Sequence, residues 1–253
     1  MTIKHIILRI WNRIIGLNAI QKITQKKDKQ ENINPFFVTP PWEYVQNVTE
    51  YNLHRYLGLK ASDIKTWCIV GGYVGNEVDV IMRNYPASKI DIFECSERYT
   101  EQLRKRFHSN EKVRVIEKAV SSVAGKISFH ETSLTGSGSL LKIGELAKKS
   151  YDATAAETFE VEAITLDEFY DGKGVDILQI DVQGAEKLVL TGSVEMLKST
   201  KAVFIEVSIH PDLYEGAVTF DELETFLKKN DFKLVLLGTD INLTGNALFL
   251  KSS

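Results

Sequence analysis

From Thr66 onward the chain alternates short apolar runs with helical segments, and that alternation leaves few folds open. Strand-like runs stand at Thr66–Val70, Lys89–Phe93, Val113–Ile116, Val175–Ile180, Ala202–Val207 and Phe232–Leu237. Between several of them the spacing predicts helices over Asn76–Asn84, Glu97–Phe107, Ala185–Leu197 and Phe220–Lys229. Nearly continuous apolar strands are covered on both faces, so the pattern predicts a mostly parallel sheet in an α/β fold with helices on each side. Thr219 followed by Glu222 predicts a capping box at the start of the last helix. The alternation breaks twice. Phe232–Leu237 and Asn246–Leu250 are joined only by a loop with Gly238, Asp240 and Gly245, which predicts an antiparallel hairpin at or in the sheet edge. Lys126–His130 and Thr158–Ala163 predict a second hairpin around the small, polar stretch Thr132–Ser139, a mobile or ligand-facing loop.

Composition narrows the class. The chain has 253 residues, 43% hydrophobic and 26% charged, enough for one soluble domain with a full core. Two cysteines, Cys68 and Cys95, cannot build a disulfide framework, so a reduced, cytoplasmic compartment fits. A net charge of −3 argues against bulk nucleic-acid binding, and no apolar run nears the roughly 20 residues of a membrane-spanning helix. The charge is uneven. Residues 1–30 hold seven basic side chains and only Asp28 as an acid, while Ile3, Ile6, Ile7, Ile10, Trp11, Ile14 and Leu17 recur at helical spacing. Such a basic amphipathic helix either packs on the domain or on a second subunit as a homodimer, or lies peripherally at the cytoplasmic membrane face. A polar, proline-bearing linker and a helix over Trp42–Leu57 follow. The expected division is an N-terminal extension over 1–58 and the α/β domain over 59–253.

Chemistry-bearing residues gather at the carboxyl ends of the expected strands, where open parallel sheets bind ligands. The first strand runs into Gly71-Gly72-Tyr73-Val74-Gly75 and a helix, so glycines let backbone approach a ligand beside amides at a helix start. Glu94 ends the second strand, where a carboxylate accepts ribose hydroxyls, as in nicotinamide and S-adenosylmethionine sites alike. Asp181 leaves a buried strand just before Gly184 and needs a partner: a ligand amine, a substrate hydroxyl or a metal. Glu206 and His210 follow on the next strand, and His210 is a candidate general base.

The run Leu178-Gln179-Ile180-Asp181-Val182-Gln183-Gly184-Ala185-Glu186 resembles the KIDVEGAE signature of the FkbM-type S-adenosylmethionine-dependent methyltransferases. Ile164-Thr165-Leu166-Asp167-Glu168-Phe169 looks like the TLD segment before it, and Phe204-Ile205-Glu206 matches the acidic fifth strand. The resemblance, over roughly Trp67 to Leu250, implies a Rossmann-like class I methyltransferase fold with a seven-stranded sheet and S-adenosylmethionine as cofactor. It places Gly71, Gly72, Tyr73 and Gly75 at the methionine end and Glu94 on the ribose. Cys95, Glu117 and Ala119 would border the adenine. Asp181 would face the methionine amine or the acceptor hydroxyl, and Ser137-Gly138-Ser139 would lie near the acceptor. Three positions depart from the pattern: Ile69 stands for the usual Asp, Tyr73 for Asn and Gln183 for Glu. The loss at Ile69 removes a usual anchor for the cofactor's amino-acid end.

The resemblance implies O-methylation of a hydroxyl on a glycan or secondary metabolite. Asp181 and His210 are then the candidate bases, with Glu206 orienting. No metal is expected, because Gln183 removes a third oxygen-rich ligand. Two other readings of the same residues stay open: a catalytically degenerate cofactor-binding or scaffold protein, and a nicotinamide-dependent oxidoreductase. The second lacks its G-x-G-x-x-G spacing here.

Overall fold

A computed structural model describes residues 53–239 and 244–252. The basic segment 1–30 and the linker lie outside the described residues, and of the helix expected over Trp42–Leu57 residues 53–56 are described and helical. Among the described residues no helix is long and apolar enough to cross a membrane.

The strands are β1 (Thr66–Val70), β2 (Lys89–Glu94), β3 (Val113–Glu117), β7 (Ile177–Ile180), β8 (Ala202–Ser208), β9 (Phe232–Thr239) and β10 (Thr244–Lys251). They form one seven-stranded sheet in the order β3-β2-β1-β7-β8-β10-β9. Every neighbouring pair from β3 to β8 is parallel, whereas β10 runs antiparallel to both β8 and β9. The C-terminal hairpin therefore enters the sheet, with its second strand one position in from the edge. A smaller sheet, β4 (Ala119–Val120), β6 (Ala155–Ile164) and β5 (Gly125–Thr132), carries the predicted second hairpin as β5 and β6.

Alternation along the strands sorts the core into two layers. Cys68, Val70, Leu178, Ile180, Val203 and Ile205 face one side, under α5 (Glu186–Thr191) and α7 (Phe220–Lys229). Trp67, Ile69, Ile177 and Phe204 face the other, under α1 (Asn76–Asn84) and α2 (Glu97–Phe107). Both helix pairs bury apolar side chains, Val189 and Leu223 on one face and Ile81 and Leu103 on the other. β7 starts at Ile177 and not at the expected Val175; below it, buried Asp176 accepts the amides of Lys65 and Thr66 (2.5 and 3.0 Å).

Two local expectations are corrected. The helix predicted over Ala185–Leu197 is two, α5 and α6 (Val194–Leu197). Gly192 passes so close to Ser121 that a Cβ would lie 2.1 Å from its carbonyl oxygen, and Asp167 then caps a fresh helix by accepting the amides of Glu195 and Met196 (3.1 and 2.8 Å). Asp167 sits in α4 (Leu166–Tyr170), whose own start is capped by Thr165 Oγ1 accepting the Glu168 amide (3.1 Å). At α7, Thr219 does stand at the amino cap, but its side chain makes no cap hydrogen bond; the Glu222 amide donates to the Thr219 carbonyl (3.1 Å).

Candidate active site

The carboxyl rim of β1, β2 and β7 opens on a cavity walled by Gly71, Tyr73, Glu94, Cys95, Ala119 and Asp181, closed on the far side by Phe129 and the 135–140 stretch. One wall is the turn after β1. The amides of Gly71 and Gly72 both donate to Phe93 O (2.9 and 3.2 Å), that of Tyr73 to Glu94 Oε2 (2.9 Å) and that of Gly75 to Gly72 O (2.8 Å). These turn amides serve the protein itself. Gly71 alone of the three glycines borders the cavity. A Cβ on Gly72 would meet Ile92 of β2 at 2.1 Å, so this glycine lets the turn pack on the neighbouring strand, and one on Gly75 would meet Leu103 and Phe107 at 2.8 Å, so it lets α2 close on the turn.

Tyr73 turns through a left-handed conformation (φ 43°) that places its ring edge-on to Tyr99, centroids 4.7 Å apart. Tyr99 hydroxyl accepts the Gly136 amide (3.2 Å), and a Cβ on Gly136 would lie 3.2 Å from the Tyr73 ring. The bulk that replaces the family's Asn thus clasps the polar loop onto the glycine turn. Thr135, Gly136, Gly138 and Ser139 of that loop line the cavity, as its ligand-facing reading requires.

Glu94 is 8% exposed and accepts three amides, Tyr73 on Oε2 and Cys95 and Ser96 on Oε1, all at 2.9 Å. Burial pushes its carboxyl up; the three amides pull it back, and nearby Glu131 opposes ionisation again. A carboxylate has about four lone-pair directions, so Glu94 keeps room for one further donor and not for two. Ser96, at the start of α2, donates to Glu131 Oε1 (3.0 Å) instead of capping the helix.

Asp181 and Glu206 come together. Asp181, exposed, takes Gln183 Nε2 on Oδ1 at 2.8 Å, and the same nitrogen donates to Glu206 Oε2 at 2.8 Å. Gln183 adopts φ 55° to reach both. Its Oε1 accepts the Tyr214 hydroxyl (3.0 Å), which also lies 3.1 Å from Ser137 O. Beneath this turn, Glu186 is 2% exposed and its Oε1 accepts the amides of Gly184 (2.9 Å) and Val182 (3.3 Å). Burial pushes the Glu186 carboxyl up to about 7. Gly184 is required by a second contact, since a Cβ there would lie 2.9 Å from the Tyr214 ring.

Other expected residues lie elsewhere. His210 is exposed just past β8, 3.7 Å from Asp212 Oδ2, and does not line the cavity. Glu117 is drawn away by an ion pair with Arg104 and a contact from Thr100 Oγ1 (3.4 Å), so it does not border the pocket as Cys95 and Ala119 do. Ile69 is 1% exposed among Trp67 and Ile92, on the layer under α1 and α2. Its side chain points into packed core and not toward the cavity, so an acid at 69 is not a missing wall of this pocket. Tyr99, Glu131 and Tyr214 were not singled out from sequence. Tyr99 shares a helical stripe with Leu103 and Phe107 that reads as core, and no local pattern marks Glu131 or Tyr214.

A family model described as the methyltransferase FkbM domain matches residues 70–234. The chain belongs to this family. Over 161 residues it is 27% identical to the 2-O-methyltransferase NoeI of Sinorhizobium fredii, a match covering 58% of this chain and 64% of NoeI. The matched part is thus less than two thirds of that relative's length. Similar solved structures include a precorrin-6y C5,15-methyltransferase of Geobacter metallireducens (13% identity, covering 85% of this chain and 90% of that one, TM-score 0.44). Another is a fibrillarin of Aeropyrum pernix in complex with natively bound S-adenosyl-L-methionine (12% identity, 80% and 73%, TM-score 0.44). At these values the likeness adds nothing to the strand order, which by itself is the class I methyltransferase arrangement. The cofactor of this FkbM-family chain is S-adenosylmethionine, and the cavity's residues fit it. Glu94 offers an acceptor for a ribose hydroxyl, and Cys95, Ala119 and Phe129 an apolar wall.

Proposed function

We propose that this methyltransferase acts on oxygen, and that its acceptor is a hydroxyl of a sugar or a similar polyhydroxylated small molecule. The observation that carries this reading is the pair of carboxylates held by the Gln183 amide, Asp181 lining the cavity and Glu206 beside it. The cofactor supplies an electrophilic methyl group. An acceptor hydroxyl is a weak nucleophile until a base takes its proton, a contribution of about 10²–10⁴-fold. Asp181, exposed and lining the cavity, is the base; Glu206 accepts a neighbouring hydroxyl and sets the acceptor's orientation. Two negative charges here disfavour acidic acceptors and suit a neutral polyol. That a family relative is named a 2-O-methyltransferase agrees with this choice.

The test is incubation of the purified full chain with S-adenosylmethionine and a panel of mono- and oligosaccharides, amines and carboxylic acids, with products read by mass spectrometry and NMR. Methyl ether formation on a sugar, lost in Asp181→Asn while cofactor binding persists, is the expected result. Transfer to nitrogen or carbon, or cofactor binding without transfer to any hydroxyl, overturns it.

A further inference from the structure

Gln183 stands where the resembling signature has Glu, and the structure shows what that exchange does. Its two amide hydrogens meet two different carboxylates, Asp181 Oδ1 and Glu206 Oε2, each at 2.8 Å from the nitrogen. The two carboxylate oxygens therefore lie within about 6 Å of one another, bridged by a single amide nitrogen. In this orientation the NH2 group faces the two carboxylates and the amide oxygen takes the Tyr214 hydroxyl on the other side (3.0 Å). All four of its hydrogen-bonding capacities but one are thus engaged, and the left-handed φ of 55° is the backbone conformation that holds it there. A Glu in this rotamer would set a third carboxylate between the first two, and one of the three would keep a proton.

We propose that Gln183 is a positioning residue that holds Asp181 and Glu206 side by side on one shared amide and so fixes how Asp181 meets the acceptor. The inference rests on the reading of Asp181 as the base. The groups around Gln183 are Asp181 and buried Glu186 on its own turn, Glu206 from β8, and Tyr214, with Tyr151 behind Tyr214. The His210–Asp212 pair lies beyond. The Gln183 amide is a donor shared by the two carboxylates.

The experiment compares wild type, Gln183→Glu and Gln183→Leu in two measurements. The first is kcat/KM against pH. In both variants the acidic limb should move up by about one pH unit or more, so that the loss is greatest at low pH and shrinks as pH rises. A merely structural role would lower activity by the same factor throughout, and superimposable profiles after scaling overturn the proposal. The second is a carboxyl ¹³C NMR titration, which needs no acceptor. Gln183→Glu should show one more carboxyl than wild type holding its proton above the ordinary range, and its absence overturns the proposal. Gln183→Leu removes the shared donor without adding charge and decides the matter if Gln183→Glu does not fold. Should Asp181→Asn leave the wild-type acidic limb in place, the base reading fails, and the carboxyl titration still tests the role of Gln183.

Discussion

Gly71 lies against the backbone of Asp181 so closely that a Cβ on it would stand 1.7 Å from the Asp181 carbonyl oxygen. The turns after β1 and β7 are packed as one piece, tied also by the Asp181 amide donating to Val70 O (2.9 Å).

Gly71→Ala should therefore disturb both ends of the site at once. The residue has φ 86°, a conformation costing an L residue about 1–2 kcal/mol, and the added methyl must also move the β7 turn. We expect a lower urea midpoint, together with loss of methyl transfer larger than the loss of cofactor affinity. An alanine variant with wild-type midpoint and turnover would contradict the close approach.

Ile69→Asp tests the departure that the sequence makes most visible. Because Ile69 is buried among Trp67 and Ile92, an ionised carboxylate there has no partner, and its burial should destabilise the fold by about 3 kcal/mol or more. Cofactor affinity should not improve. Calorimetric titration of folded Ile69→Asp showing tighter S-adenosylmethionine binding would place the side chain on the cavity instead.

Glu94→Gln turns an acceptor into a donor against the Tyr73 amide and weakens the hydrogen bond left for a ribose hydroxyl. Hydrogen bonds to a charged group contribute about 1.5–3 kcal/mol, so affinity should fall about tenfold or more. S-Adenosylmethionine and S-adenosylhomocysteine should lose equally, since they share the ribose. A loss confined to one of them would move Glu94 away from that sugar.

Glu186 sets a pH dependence of stability with a definite sign. Its carboxyl titrates near 7 in the folded chain and in the ordinary carboxylate range when unfolded. Between those values the folded state holds the proton and the unfolded state does not, so its contribution falls as pH rises to about 7 and stays low above. Glu186→Gln keeps an oxygen for the amides of Gly184 and Val182. Its stability relative to wild type should rise through that window and level off, as read by urea midpoints from pH 4.5 to 8.5. A difference that does not vary with pH would count against this.

Much of the fold was legible because its signals are local. The apolar runs mark the strands, and Asn76–Asn84, Glu97–Phe107 and Phe220–Lys229 are helices with the bounds their spacing predicts. What escaped depends on contacts between distant segments. The break at Gly192 exists because Ser121 passes there, and β10 lies between β8 and β9 because tertiary pairing puts it there. In the site, Asp181, Glu94 and Glu206 were readable as acids ending strands. His210 met the same rule but lies past the strand, where the chain turns outward to Asp212. Tyr214 joins the network only because Gly184 makes room for its ring. The direction of Ile69 was in principle visible, since it alternates in phase with Trp67 and not with Val70.

The placement of β10 also has a consequence for how the protein is made. β9 has β10 as its sheet partner, and β8 has β7 on one side and β10 on the other. During synthesis β9 emerges first and must wait, with an open backbone edge, for the strand that will slot between it and β8. Glu206 lies in register with Asn246 of that late strand. The β9–β10 pair is local and forms readily, while the β10–β8 pair joins segments farther apart in sequence, so docking of the hairpin on β8 should be the later step of refolding and the one at which open edges invite aggregation.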